Sequence, residues 1–180
     1  MNKKIISILV VFLITFLLFG CTSSSSDNTN TTTNNINNTT AQTKEYSIGE
    51  SFTLGNIEYK VNSLDEYPAL GSEYMNKIAT DGATFYLIDL TMKNNGNKEE
   101  SVLISNDVLL IDSQNREYKV DNTANMYAGQ TGFETIGMIE KIPAGLSKTG
   151  VIVFEVPEGI TGKLKIKPSF FSEEAYVKIE

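Results

Sequence analysis

Side-chain chemistry needs nucleophiles, general bases or metal ligands, and this chain is poor in all three. It holds no His and one Cys, Cys21. A Ser-His-Asp triad, a Cys-His pair, a histidine metal site and an HExxH zinc motif are therefore ruled out. Serine-lysine chemistry finds no SxxK beyond residue 43. Acids stand in pairs at Asp65-Glu66, Glu99-Glu100 and Glu173-Glu174. Two carboxylates are the equipment of a glycosidase, but neighbours on a strand point to opposite faces and neighbours on a loop are usually solvated. Gly129-Gln130-Thr131-Gly132 is too short for a phosphate-binding loop and no Lys follows it, so it reads as an ordinary loop. Asp121-Asn122-Thr123-Ala124-Asn125 imitates the start of a calcium loop, yet lacks an acid or amide at the third position, Gly at the sixth and the closing Glu. Met75, Met92, Met126 and Met138 offer thioethers for Cu(I), but Met92 falls on an apolar strand face and no imidazole assists. The expectation is a protein that is not an enzyme, with no catalytic residues, no metal and no cofactor.

Cys21 stands apart because of what precedes it. Lys3 and Lys4 open the chain, and residues 5–19 are apolar except for Ser7 and Thr15. A positive start followed by such a run is an export signal. Read as a transmembrane helix, the run would rise only about 22 Å against a hydrocarbon core of roughly 30 Å; a short signal anchor is the alternative. Leu18-Phe19-Gly20-Cys21 resembles the lipobox of bacterial and some archaeal lipoproteins, with Leu at −3, a small residue at −1 and Cys at +1. Phe19 at −2 is bulkier than that pattern usually carries. The resemblance implies that the Cys21 thiol takes a diacylglyceryl group and becomes the mature N-terminus after the signal peptide 1–20 is cut. Two acyl chains make a stable anchor where one does not. The expected location is the extracytoplasmic face of a cell membrane. A lone Cys also leaves no disulfide within the chain.

Removing the leader with Lys3 and Lys4 takes the formal charge from −7 to −9. An acidic chain repels phosphate backbones and anionic headgroups, so no nucleic-acid partner is expected. Residues 21–43 follow the leader: Cys21, then Ser, Thr, Asn, Asp and Gln with Ile36 as the one sizeable apolar side chain. Such a tract cannot bury enough surface to offset its ordering entropy and reads as a disordered linker. As a coil it spans roughly 25 Å root-mean-square and at most about 75 Å. Asn30-Thr31-Thr32, Asn37-Asn38-Thr39 and Asn38-Thr39-Thr40 match the N-glycosylation pattern, as an Asn/Thr tract does by composition alone.

Residues 44–180 carry the period of strands. Ile57-Glu58-Tyr59-Lys60-Val61-Asn62 and Lys163-Leu164-Lys165-Ile166-Lys167 alternate strictly. In residues 85–92, Tyr86, Ile88, Leu90 and Met92 share one face while Phe85 and Leu87 add apolar character to the other, the pattern of a central strand. Residues 108–112 and 117–120 flank Ser113-Gln114-Asn115-Arg116, where Asn115 can take the left-handed conformation of a tight hairpin. Residues 149–156 and 175–179 add further strands. One short helix is expected between Pro68 and Gly82, from Leu70, Tyr74 and Ile78 at i, i+4 and i+8. About eight strands with no βαβ alternation make an all-β fold, an immunoglobulin-like antiparallel β-sandwich with at most one short helix.

Several segments resemble the domain of unknown function 4352, grouped with the telokin-like and MPT63-like immunoglobulin folds. They are Gly49-Glu50-Ser51-Phe52-Thr53-Leu54-Gly55 with Ile57-Glu58-Tyr59-Lys60-Val61, residues 85–96 ending Asn94-Asn95-Gly96, residues 108–118, and residues 142–157 from Ile142-Pro143-Ala144-Gly145 to Pro157. Ala144-Gly145 and Asn115 stand where the family commonly has Pro-Gly and Gly. The resemblance spans most of residues 46–166 and implies the fold and export without adding an activity. What remains is binding. Segments 67–82 and 121–137 exceed ordinary sandwich turns and carry Tyr67, Tyr74, Tyr127 and Phe133, residue types enriched at interfaces. The leading reading is a membrane-anchored lipoprotein with a non-enzymatic binding or adhesion domain for an envelope protein or polymer. The alternative is a passive structural envelope protein, in which those rings merely cap the sandwich.

Overall fold

The computed structural model describes residues 44–169 and 173–179; the expected signal peptide, Cys21 and the expected linker lie outside the described residues. The elements in chain order are β1 (Lys44–Tyr46), β2 (Ser51–Leu54), β3 (Ile57–Tyr67), β4 (Ala69–Gly71), β5 (Asn76–Ile78), β6 (Ala83–Asn94), β7 (Glu100–Leu103), α1 (Ile104–Asp107), β8 (Val108–Asp112), β9 (Glu117–Lys119), α2 (Asn122–Thr131), β10 (Ile139–Ile142), β11 (Ser147–Pro157), β12 (Gly162–Ile166) and β13 (Ala175–Ile179).

Alternation along each strand gives every sheet an inner and an outer face. A five-stranded sheet runs β1-β13-β12-β8-β9 and a four-stranded sheet runs β11-β6-β3-β2, with small pairs β10-β7 and β4-β5. Tyr59, Val61, Ile88, Leu90, Met92, Ile152 and Phe154 from the four-stranded sheet meet Val108, Leu110, Leu164, Ile166 and Val177 from the five-stranded sheet in one buried core. Strand β6 sits between β3 and β11 and is buried over most of its length, the central position expected of residues 85–92. The β8–β9 hairpin forms where expected, with Asn115 at φ 61°.

Turns after the central strand are held by a buried amide. Asn94 is fully buried; its Nδ2 donates to the carbonyls of Lys98 at 2.7 Å and Ile142 at 2.8 Å, and its Oδ1 accepts from the Gly96 N–H at 2.8 Å. One side chain thus ties the Asn94-Asn95-Gly96 turn to β10. Gly145, at φ 76°, forms the turn into β11.

Three features differ from the sequence expectation. Edge strand β1 pairs parallel to β13, so the five-stranded sheet is not wholly antiparallel. Leu70, Tyr74 and Ile78 do not share a helix face, because residues 69–78 form the β4–β5 hairpin. Its Ser72–Met75 turn carries reciprocal backbone hydrogen bonds of 2.8 and 3.2 Å, and Gly71 takes φ 112°, which a helix interior forbids. The helix of this domain is instead α2, ten residues inside a segment read as loop, while α1 is a single turn. Asp121 caps α2 by accepting from the Ala124 N–H at 2.9 Å, and Gly132 closes it in the left-handed conformation at φ 102°. Buried Ala124 and Ala128, with Tyr127 half-buried beside them, mark its apolar face, a stripe too thin for periodicity to reveal.

Candidate functional site

The outer face of the four-stranded sheet presents Phe85 and Leu87 from β6 and Val151 and Val153 from β11. These four side chains would meet water unless a third layer covered them. Helix α2 supplies Ala124 and Ala128 one turn apart, and the β4–β5 hairpin supplies Leu70; together they form a second buried cluster. The segments read as long loops are thus the lid on this face.

A small ionic network ties the hairpin to the sheet. Lys77 Nζ lies 2.5 Å from Glu155 Oε2, 3.1 Å from Asp121 Oδ2 and 4.6 Å from the centre of the Phe85 ring. Glu155 Oε1 accepts from Thr80 N at 2.8 Å and Thr80 Oγ1 at 2.7 Å. The Lys77 ammonium and the two Thr80 donors outweigh partial burial and hold the Glu155 carboxyl down at about 2. Burial by itself would lower Lys77, but Glu155 and Asp121 raise it above its ordinary value. At the other end of the hairpin, Gly71 N donates to Thr131 Oγ1 of α2 at 2.8 Å. A Cβ on Gly71 would stand 2.2 Å from the Met75 carbonyl and 3.0 Å from the Tyr127 ring, so this glycine permits hairpin and helix to meet.

The four aromatic residues marked in the sequence all fall in this layer or at its rim, in different situations. Tyr67 and Phe133 are half-buried and meet edge to face, with centroids 5.5 Å apart and planes at 71°. Tyr127 is half-buried against the same cluster. Tyr74 is 92 % exposed in the hairpin turn. Beside it in sequence Met75 is 54 % and Ile78 70 % exposed, and Met126 on α2 is 56 % exposed. The hairpin therefore displays apolar side chains to solvent while its other face is clamped by charge.

Other sequence candidates have structural positions. Asp121 and Asn125, from the calcium-loop imitation, cap and anchor α2; Asn125 Nδ2 donates to the Ile136 carbonyl at 2.7 Å. Residues 129–132 are the last turn of α2 and its left-handed close. Met92 is fully buried, while Met138 is exposed. Asp65 and Glu66 are both exposed, Glu99 lies 3.8 Å from Lys141, and Glu174 lies 3.2 Å from Lys165. The two buried carboxylates among the described residues bind loops. Asp107 accepts from Leu103 N and from Ser169 N and Oγ. Asp112 accepts from Gln114 N, Arg116 N, Arg116 Nε and Tyr118 Oη. Burial pushes the Asp112 carboxyl up, but these donors prevail and hold it at about 2.

With the sandwich and its covering layer established, residues 46–178 match the family model of a domain of unknown function, DUF4352. The chain belongs to the DUF4352 family. A relative from Bacillus subtilis, the uncharacterized protein YxkC, is 29 % identical over 140 residues, 76 % of each chain. The crystal structure of MPT63, a secreted protein of Mycobacterium tuberculosis, superposes with a TM-score of 0.54 at 17 % identity, covering 78 % of this chain and 98 % of that one. That of ycdA, a candidate lipoprotein of Bacillus subtilis, gives 0.53 at 18 % identity over 72 % of this chain and 38 % of that one. At these identities the structures establish the DUF4352 chain as a β-sandwich.

Neither the Lys77–Glu155–Asp121 network nor the role of Gly71 was visible in the sequence. Lys77 and Glu155 lie 78 residues apart, and no local pattern reports a contact across that distance. Asp121 and Gly132, by contrast, are ordinary helix start and stop residues at a helix's spacing, and that signal was available.

Proposed function

We propose that this DUF4352 protein is an extracytoplasmic lipoprotein, anchored through Cys21, whose β-sandwich is a non-enzymatic binding domain that contacts an envelope protein through the β4–β5 hairpin. The observation that carries the contact surface is the pairing of exposed Tyr74, Met75 and Ile78 with a clamp beneath them. A large apolar side chain in water is tolerated singly, but several on one pre-ordered hairpin are an interface in waiting. Export is supported by the lipobox-like Leu18-Phe19-Gly20-Cys21 and by the secreted and candidate-lipoprotein character of MPT63 and ycdA. The non-enzymatic reading is supported by the absence of His from the chain and by the engagement of Asp107 and Asp112 in loop clasps.

The passive structural alternative is favoured for Tyr67, Tyr127 and Phe133, whose half-burial gives them a packing role. Tyr74 and Ile78 discriminate between the two readings. A photo-crosslinking residue placed at Tyr74 in cells should yield a discrete envelope-protein adduct that disappears on Ile78→Ser with the melting temperature unchanged. The same residue at Ser101, exposed on β7, should not yield that adduct. Equal adducts from both positions, or none from Tyr74 in folded protein, reject the hairpin as a contact surface.

A further inference from the structure

The outer face of the five-stranded sheet, on the far side of the core from α2, has a different chemistry. Register places Glu45 on β1, Tyr176 and Lys178 on β13, Lys163 and Lys165 on β12, Leu109 and Ile111 on β8, and Glu117 and Lys119 on β9 on this face. These strand positions hold four lysines against two glutamates, in a chain whose formal charge is −7. The acidity of the whole protein therefore conceals one basic face.

Two details show that its lysines are held in place. Lys163 stands directly across the ladder from Lys178, an arrangement that like-charge repulsion disfavours. One carboxylate, Glu45, serves both: Lys163 Nζ contacts its Oε1, and Lys178 Nζ lies 3.8 Å from its Oε2. Similarly, Lys165 and Lys167 share Glu174 at 3.2 and 3.6 Å. Each pair of ammonium groups is ordered by a single carboxylate and keeps an unmatched positive charge.

Beside the first pair runs a groove of about 530 Å³ whose lining includes Ser113, Asn115, Thr161, Lys163, Tyr176 and Lys178. Its rim is rigid. Asp112 clasps the 113–116 turn through Gln114 N at 2.8 Å, Arg116 N at 2.9 Å and Arg116 Nε at 2.6 Å, and Asn115 closes that turn at φ 61°. At Gly162 a Cβ would lie 2.2 Å from the Ile111 carbonyl, so this glycine lets β12 approach β8 closely at the groove.

We propose that this face binds an acidic polysaccharide. Lysine ammonium groups meet carboxylates along such a polymer, while hydroxyl and amide groups and a tyrosine suit its sugar hydroxyls and ring faces. A purely ionic partner would make no use of Ser113, Asn115, Thr161 and Tyr176. The site is independent of the hairpin surface and of lipid attachment.

The test is calorimetric titration of the full chain, in a non-ionic detergent, with polygalacturonate oligomers. Binding should weaken with added salt, as screened ion pairs do. Lys163→Gln with Lys178→Gln should weaken it at least tenfold, whereas Lys148→Gln on the other sheet should not change it. Should the double variant fail to fold, Lys165→Gln alone should still weaken binding several-fold at unchanged melting temperature. Ser113→Ala with Thr161→Val should weaken polygalacturonate binding but leave any retention of inorganic polyphosphate unaltered. No binding by folded protein overturns the proposal. So does equal binding of polyphosphate or of phosphatidylglycerol vesicles with the same variant profile, which would assign the face to charge alone. Equal weakening by Lys148→Gln overturns it too.

Discussion

Glu155→Gln isolates the charge that clamps the hairpin while preserving the side chain's shape. The carboxylate receives the Lys77 ammonium at 2.5 Å and two donors from Thr80, and its side chain is 22 % exposed. A charge-assisted hydrogen bond contributes about 1.5–3 kcal/mol when buried, and an exposed ion pair below about 1 kcal/mol. Gln retains an acceptor for Thr80, so the expected loss at pH 7 is about 1–2 kcal/mol. Its pH dependence follows from the Glu155 carboxyl being held at about 2, below its ordinary 4.5. A group lowered by folding stabilises fully above its unfolded value, and that contribution fades as pH falls through its folded value. The gap between wild type and Glu155→Gln should therefore persist from pH 7 to about 4.5 and shrink between about 4.5 and 2. Urea unfolding at pH 7, 4 and 2.5 measures it, and hydrogen exchange should report faster opening of residues 69–80 at pH 7. A gap of the same size at all three pH values, or no change in exchange at the hairpin, would refute the clamp.

Three further outcomes are expected. Cys21→Ser should release the protein from the membrane fraction or leave an uncleaved precursor there, and mature protein still resistant to detergent-free washing would contradict attachment at this residue. Residues 44–180 produced alone should unfold in one cooperative transition that reducing agents and EDTA leave unchanged; a melting temperature lowered by EDTA would reveal a structural metal. Tyr127→Ser with Phe133→Ser should cost about 2–3 kcal/mol by thermal unfolding, since both rings are half-buried and Phe133 loses its edge-to-face contact with Tyr67. A cost near zero would mean that these rings do not seal the second cluster.

Local chemistry was legible wherever neighbouring residues decide the outcome. Strand period, the left-handed Asn115, the Ala144-Gly145 turn and the end of β11 at Pro157 each depend on a few consecutive residues. The helix expected between residues 68 and 82 failed for the complementary reason. Leu70, Tyr74 and Ile78 have helical spacing, but the segment is a hairpin whose Lys77 reaches Glu155 and whose Gly71 admits Tyr127. Those are tertiary contacts, and they override a weak local pattern.

The amino-acid sequence alone determined the absence of histidine chemistry, the single thiol after an apolar run, the strand-rich domain and the alternation that places Lys163 and Lys165 on one face. Only the tertiary structure decided what lies across from them. Lys178 opposite Lys163, Glu45 between them, and Tyr67 against Phe133 are pairings between residues far apart in the chain. Net charge and periodicity describe each strand separately, whereas a site is made by the register and packing that bring separate strands together.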